Sequence, residues 1–359
     1  MISAKSFRSK LYEWAQANPR DYPWMGERDP YKIWISEILL QQTRSEQAKA
    51  YYLNFLKTFP TLNALAHAPL DLVLKQWQGL GYYSRARNLH ITAQFLVEQN
   101  ESQFPKEPEV LQKLKGIGPY TAAAIASFAY NFPISVLDGN VIRVFARLLG
   151  IPHLPIHQNE KKEWEFILAK YLDVENSSLY NQALMNFGSI HCKPIQPKCS
   201  ECLYKNNCTA YVTEMIPLFP AKKKKLKLKL RYFHFIYFVN PKNEILIQHR
   251  KESDIWKELY QLPLFESARN KTLKTITLDQ LTNNAKNKLT NFSLTFLESQ
   301  IIKLTHQELH CHFYFAQDPR SQFKIKPPFS FVNRENLVNF AFPTVITRFL
   351  TKINRNDLC

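Results

Sequence analysis

With 359 residues, 45% of them apolar and 21% charged, the chain has material for more than one packed core and is not a disordered tail. Its 47 Lys and Arg against 30 Asp and Glu leave a formal charge of +17, which points to a polyanionic partner, although charge alone does not separate DNA from RNA or an anionic membrane surface. No apolar run of about eighteen residues occurs, and Met1 to Gln16 lacks the apolar stretch of a signal peptide. No membrane partner is therefore expected, the predicted location is the cytoplasm, and the six cysteines are expected as ligands or free thiols rather than disulfides.

In chain order, Asp29-Pro30 offers an N-cap and a first-turn proline, and Tyr31, Trp34, Ile35, Ile38 and Leu39 then follow the i, i+3, i+4, i+7, i+8 pattern of a helix. Such periodicity recurs with short breaks through about residue 200, so the first part of the chain is predicted to be all-helical. Glu37 falls at the edge of the apolar stripe. From local sequence it is either an ordinary exposed glutamate or, if partly buried, an acid of raised pKa. Gln42 falls within the stripe, an odd place for an amide unless it reaches a partner.

Leu114-Lys115-Gly116-Ile117-Gly118-Pro119-Tyr120 lies between two helical stretches. Gly116 and Gly118 bracket the apolar Ile117, permitting a tight turn and close approach of a phosphate to the free N–H groups of the following helix. That geometry reads nucleic-acid backbone and not sequence, although packing alone also accounts for such turns. Asp138, in Leu137-Asp138-Gly139-Asn140-Val141, opens a helical stretch that ends at Gly150. Locally it is a plain N-cap or a functional carboxylate.

Cys192, Cys199, Cys202 and Cys208 are spaced C-x6-C-x2-C-x5-C. Four soft sulfur ligands suit either a cubane iron–sulfur cluster or structural zinc. Zinc ribbons usually pair two CxxC knuckles, whereas only Cys199 and Cys202 have that spacing here. His191 reads as an ordinary neighbour, and Cys311 and Cys359 fall outside the pattern.

Near Pro217 to Pro220 the helical pattern breaks, and the lysine run within Ala221 to Leu230 reads as a solvated linker entering an edge strand. Tyr232 to Val239 and Glu244 to His249 flank Asn240-Pro241-Lys242-Asn243, a strand, turn, strand signal. Further β-rich runs near Phe292 to Phe296 and His310 to Phe315, with a helix-like Thr344 to Thr351, predict a second domain of α+β class. The predicted organisation is a helical domain over 1–217, a linker over 218–230, an α+β domain over 231–352 and a tail over 353–359.

The cysteine spacing resembles the [4Fe-4S] loop of the endonuclease III and MutY superfamily, and Lys115 to Tyr120 resembles its helix-hairpin-helix, with Lys115 in place of the usual proline. Ser36-Glu37-Ile38-Leu39-Leu40-Gln41-Gln42-Thr43 resembles the signature of the MutY family of adenine DNA glycosylases. The resemblance spans nearly the whole chain. It implies a multidomain fold, with an all-helical helix-hairpin-helix glycosylase domain carrying one [4Fe-4S] cluster in its 192–208 loop and a Nudix-like α+β domain after it. The implied protein is a monomer acting on double-stranded DNA with adenine opposite 8-oxoguanine or guanine.

By the same resemblance, Glu37 protonates adenine N7, Asp138 stabilises the oxocarbenium-like sugar and Asn140 positions Asp138 or water. Gln42 and Tyr82, in Gly79-Leu80-Gly81-Tyr82-Tyr83, intrude beside the oxidised guanine, and Gln182 belongs to the adenine pocket. Tyr120 stands where bifunctional relatives carry a Schiff-base lysine, which implies a monofunctional enzyme. Met25 and Asn186 depart from family residues in the base pocket.

Trp256 to Pro263 and Phe342-Pro343-Thr344 resemble landmarks of the Nudix-like domain, but no acidic Nudix box is present, so hydrolysis there is not expected. Leu304-Thr305-His306 aligns with the Phe-Ser-His loop by which relatives read the lesion, Thr305 keeping the hydroxyl and His306 the ring. Two other readings compete. An endonuclease III-like glycosylase for oxidised pyrimidines is disfavoured by Tyr120 and the second domain, and a silent lesion-binding protein by the joint presence of Glu37 and Asp138.

Overall fold

The computed structural model describes residues 2–99, 104–221, 228–277, 291–317 and 327–355. Lysines 222–225, most of the predicted linker run, lie outside the described residues, as do Cys359 and the tail from 356. The chain forms two compact units, Met1–His67 with Asn88–Lys224 and Ala68–Arg87 with Lys225–Cys359. Among the described residues no helix is long and apolar enough to cross a membrane.

The first unit is helical. In chain order the helices are α1 (Ala4–Ala17), α2 (Pro30–Leu40), α3 (Ser45–Thr58), α4 (Leu62–Ala66), α5 (Leu70–Gln76), α6 (Ser84–Glu98), α7 (Pro108–Leu111), α8 (Pro119–Tyr130), α9 (Gly139–Leu149), α10 (Gln158–Tyr171), α11 (Ser177–Ile190) and α12 (Thr209–Val212). Of these, α5 and the first turn of α6 fall within the second unit.

Asp29 caps α2 by accepting from the Tyr31 N–H at 2.9 Å, and Pro30 takes the first helical position, where no N–H is missed. Sequence periodicity suggests a one-sided helix, but Tyr31 and every residue from Ile33 to Leu39 are buried, so α2 is enclosed on all sides. It packs on α8, in which Thr121 to Phe128 are likewise buried. Ala122, Ala123, Ala124 and Ala126 keep α8 slender enough for that close packing. The helix α2 ends at Leu40, so Gln42 is not in its stripe as the periodicity implied. It is exposed on the following turn with φ of +63°.

Gly150 closes α9 in the left-handed conformation, its N–H bonded to Ala146. Against α9 lies α11, approaching closely at Gly188, where a Cβ would sit 2.6 Å from the Asn140 Cβ. A second core joins α1, α9, α10 and α11 through Phe7, Leu11, Phe145, Trp164, Tyr180 and Phe187.

In the second unit, strands β1 (Lys229–Val239), β2 (Glu244–His249), β3 (Tyr260–Gln261), β4 (Leu264–Ser267), β5 (Thr275–Thr277), β6 (Asn291–Ser293), β7 (Thr295–Lys303), β8 (Gln307–Gln317) and β9 (Phe329–Asn333) precede a last helix, α13 (Thr344–Arg355). The main sheet runs β3-β2-β1-β8-β7, with β4 beside β1 and β9 beside β2. Its centre is a parallel β1–β8 pair in register from Lys229 with Gln307 to Val239 with Gln317, and the other pairings are antiparallel. One face, with Phe233, Phe235 and Phe313, buries Ile346 and Phe349 of α13, while the other carries Ile236, Phe238 and Tyr314. The predicted α+β class, strands and terminal helix are all present, with β1 beginning three residues earlier and α13 continuing four residues further.

Candidate active site and metal centre

Between α2, α8, α9 and α11 the first unit holds a cavity of about 300 Å³, bordered by Glu37, Tyr120, Asp138, Asn140, Gln182 and Met185 among others. A second, shallower hollow of about 330 Å³ shares Glu37, Tyr120 and Asp138 and adds Gln41 and Gly139. The two carboxyl groups therefore stand where the two spaces adjoin. Their local environments differ sharply.

Glu37, three residues before the end of α2, is only 4% exposed. Its Oε2 accepts a hydrogen bond from the Tyr120 hydroxyl at 2.5 Å. Burial pushes its pKa up to about 7, opposed by that hydrogen bond and assisted by the negative charge of Asp138. The Tyr120 hydroxyl is itself driven well above its ordinary pKa by burial and by Glu37, so it stays a donor at neutral pH.

Asp138 is both an N-cap and a wall of the cavity, so the two readings of its local sequence coincide. Its Oδ1 accepts from the Val141 N–H at 2.6 Å and its Oδ2 from the Asn140 amide at 2.7 Å. Burial raises its pKa, while Val141, Asn140 and the charge of Arg143 act in the opposite sense. Arg143 extends the network, donating to Asn140 Oδ1 at 2.8 Å, to the Gly188 carbonyl at 2.6 Å and to the Cys192 carbonyl at 2.8 Å.

Gln182 donates to Ser178 Oγ at 3.1 Å and accepts from the Gly26 N–H at 3.4 Å. Met25 and Asn186 also border the cavity. Arg20, Tyr22 and Trp24 complete the wall near Met25, with Tyr22 and Trp24 stacked at 4.9 Å. Sequence reasoning passed over these three and Arg143. An aromatic pair beside an arginine before a helix cap was the available signal.

The 116–118 turn is separate from the cavity. Gly116 has φ of +84°, and a Cβ there would lie 2.7 Å from the Asn88 Cβ, so glycine is demanded by the fold. Gly118 has ordinary φ and open space where a side chain would project, while Ile117 is buried beneath the turn. Nothing in the fold requires the second glycine, which leaves its backbone accessible from outside.

In the second unit Tyr82 is 49% exposed, with φ of +46°. Arg85 lies over the Trp77 and Tyr82 rings and donates to the Leu80 and Gly81 carbonyls, bracing the segment. The Tyr82 hydroxyl is hydrogen-bonded to Thr305 in the turn between β7 and β8. His306 is exposed on that same turn.

Cys192, Cys199, Cys202 and Cys208 border a cavity of about 30 Å³ together with His191 and Arg147. Burial pushes the Cys202 thiol up to about 11 and raises Cys199 and Cys208 as well. Among the described residues no three His, Cys, Asp or Glu side chains are grouped so as to hold a metal ion. Four sulfurs border one space, a donor set suited to a soft metal or an iron–sulfur group. His191 is 7% exposed with its Nε2 unpartnered.

Residues 35–172 match the model of the HhH-GPD superfamily base excision DNA repair proteins, and residues 234–352 that of the NUDIX domain. An adenine DNA glycosylase of Buchnera aphidicola subsp. Baizongia pistaciae is 34% identical over 334 residues, 93% of this chain and 92% of that one. The chain belongs to the MutY family of adenine DNA glycosylases.

The human adenine DNA glycosylase is 37% identical over 214 residues, 57% of this chain and 39% of its own length. Among solved structures, a thermostable thymine-DNA glycosylase superposes with a TM-score of 0.54 at 29% identity, covering 58% of this chain and 97% of that one. A non-covalent endonuclease III–DNA complex shares the fold with a TM-score of 0.51 at 24% identity, covering 60% of this chain and 99% of that one.

Proposed function

We propose that the chain removes adenine from double-stranded DNA where it is mispaired with 8-oxoguanine or guanine, by hydrolysing the N-glycosidic bond, and that it acts as a monofunctional glycosylase. The observation that carries this reading is Glu37, buried at the cavity with its pKa pushed by burial up to about 7, adjoining Asp138 with its two hydrogen-bond donors.

In this reading an extruded adenine occupies the 300 Å³ cavity beside Gln182, and Glu37 gives its proton to N7. The C1′–N9 bond then breaks with its electron pair passing to the neutralised base. Asp138, kept ionised by the Val141 N–H and the Asn140 amide, stabilises the positive sugar until water adds at C1′ and releases a proton. Asn140 positions Asp138. Tyr120 orients Glu37 and supplies no amine, so no Schiff base forms.

Gly116 and Gly118 present backbone N–H groups to a phosphate, while Ile117, buried and with its N–H bonded to the Leu114 carbonyl at 3.1 Å, anchors the turn between them. Gln42, Tyr82, Thr305 and His306, all exposed, meet the strand opposite the adenine, Thr305 and His306 contacting 8-oxoguanine. Cys192, Cys199, Cys202 and Cys208 hold one [4Fe-4S] cluster, which supplies a fixed anchor for the loop and a one-electron redox centre. The functional domains run over 1–217 and 231–352 with a basic linker at 218–230.

A glycosylase assay on duplexes carrying A:8-oxoG, A:G and thymine glycol, followed by alkali, tests the reading. Alkali-dependent cleavage at adenine is expected with both mispairs and none at thymine glycol. Strand nicking without alkali and efficient borohydride trapping would overturn the monofunctional assignment.

A further inference from the structure

Arg147 is a buried cation lacking a carboxylate. It is 4% exposed on α9, with Nε donating to the Phe219 carbonyl at 3.1 Å, Nη2 to the Pro194 carbonyl at 3.2 Å and Nη1 to the Lys193 carbonyl at 2.7 Å. Nη1 also lies 3.4 Å from Cys192 Sγ, and Cys208 Sγ lies 3.3 Å from the Arg147 carbonyl. Among the described residues no Asp or Glu forms an ion pair with it. A buried guanidinium without a counter-charge is costly, and carbonyl dipoles offset that cost only in part.

Arg147 borders the same small cavity as the four cysteines. We propose that Arg147 is the buried counter-cation of an iron–sulfur cluster in this loop, with Lys198 and Lys205 at the same cavity, and tunes the cluster's reduction potential through its charge and its hydrogen bond to the Cys192 sulfur. The inference rests on the cluster assignment made above.

A fixed positive charge beside a ligating sulfur favours whichever cluster state carries one more electron, because that state is the more negative. Removing it favours the oxidised state. Arg147 is a tuning residue in this scheme and touches neither DNA nor the reacting atoms. Its position on α9, the helix that Asp138 caps, means that loss of the cluster would leave an uncompensated charge under the same helix.

The test is direct electrochemistry of the anaerobically purified full chain, wild type against Arg147→Gln and Arg147→Lys, with one electron exchanged per cluster at the electrode. Arg147→Gln should shift the couple toward easier oxidation by about tenfold in equilibrium constant, ~59 mV for a one-electron couple. Arg147→Lys, which retains the charge, should shift it less. Equal potentials in loaded wild type and Arg147→Gln would overturn the proposal.

If Arg147→Gln fails to load, wild-type protein with 15N-labelled arginine and a paramagnetic cluster decides by pulsed EPR. An exchangeable proton and a 15N coupling that are lost in labelled Arg147→Lys are expected, and a signal absent from wild type or unchanged in Arg147→Lys, as Arg143 beside Cys192 would give, counts against the proposal. Wild-type protein without iron or a visible iron–sulfur absorption would refute the cluster assignment itself, a separate failure.

Discussion

Replacing Tyr120 by Phe isolates how Glu37 is kept poised. The Tyr120 hydroxyl donates to Glu37 Oε2 at 2.5 Å, a bond that favours the carboxylate and so partly opposes the burial that lifts this group to about 7. A hydrogen bond to a charged group contributes about 1.5–3 kcal/mol, and a pKa unit corresponds to about 1.36 kcal/mol. Its loss should therefore raise the Glu37 pKa by about 1–2 units. In the proposed mechanism the protonated form is the active one, so the alkaline limb of the rate profile should move upward by that amount, with little gain below about pH 6.

Single-turnover adenine release from an A:8-oxoG duplex, followed from about pH 5 to about pH 10, reads the limb directly. Glu37→Gln should abolish release and leave mismatch binding intact. A limb that stays in place or moves downward in Tyr120→Phe would show that Glu37 is not the titrating acid.

Asn140→Ala removes the 2.7 Å donor to Asp138 Oδ2. The Asp138 pKa should rise, so the acid limb, where the required carboxylate becomes protonated, should move up by about 1–2 units. Gly116→Ala meets both a φ of +84° and the Asn88 Cβ at 2.7 Å, and should destabilise the first unit by about 1 kcal/mol or more in thermal unfolding. Gly118→Ala, with open space at its Cβ, should unfold like wild type yet bind duplex DNA more weakly. His234 is buried and stacked on His312 at 5.1 Å, and burial lowers it to about 4. Its neutral form supports the fold above the unfolded value of about 6.5, and that support is lost as pH falls from there toward 4. His234→Leu should accordingly flatten the loss of stability of the second unit between about pH 7 and about pH 4.5, read by denaturant unfolding.

Local chemistry made much of this molecule legible. Asp29-Pro30 marks the start of α2, Asp138 and Gly150 mark both ends of α9, and Asn240 to Asn243 marks the β1–β2 turn, because caps and turns are decided by a few adjacent residues. Burial on α2 was not legible. Glu37 read as the edge of an apolar stripe, exposed or partly buried, and it takes the packing of α2 on the alanine-rich α8 to bury it with Ser36. The end of α2 was missed for a related reason, since Gln41 and Gln42 carry no breaking residue and the helix stops through backbone conformation, Gln42 at a φ of +63°. The bonds of Arg143 to Asn140, Gly188 and Cys192 span up to 49 positions, beyond any periodicity argument.

The division of labour between the two carboxyl groups follows from where each sits on its helix. Glu37 lies in the interior of α2, where backbone N–H groups are already committed to the helix, and its carboxyl accepts from the Tyr120 hydroxyl. Its charged form is poorly supported and its pKa rises to about 7. Asp138 lies one residue before α9, where N–H groups have no helical partner, and it takes the Val141 N–H and the Asn140 amide. Burial acts on both groups, but only Asp138 has donors fixed by backbone geometry to offset it. In the proposed mechanism the helix-interior carboxyl thus serves as the proton donor and the N-cap carboxyl as the ionised stabiliser of the sugar. The separation between the two groups should narrow when Asn140 is lost but persist through the Val141 N–H, and removal of Arg143, which also lowers the Asp138 pKa, should act in the same direction. An Arg143→Ala variant that shifted the alkaline limb instead of the acid limb would contradict this assignment of roles.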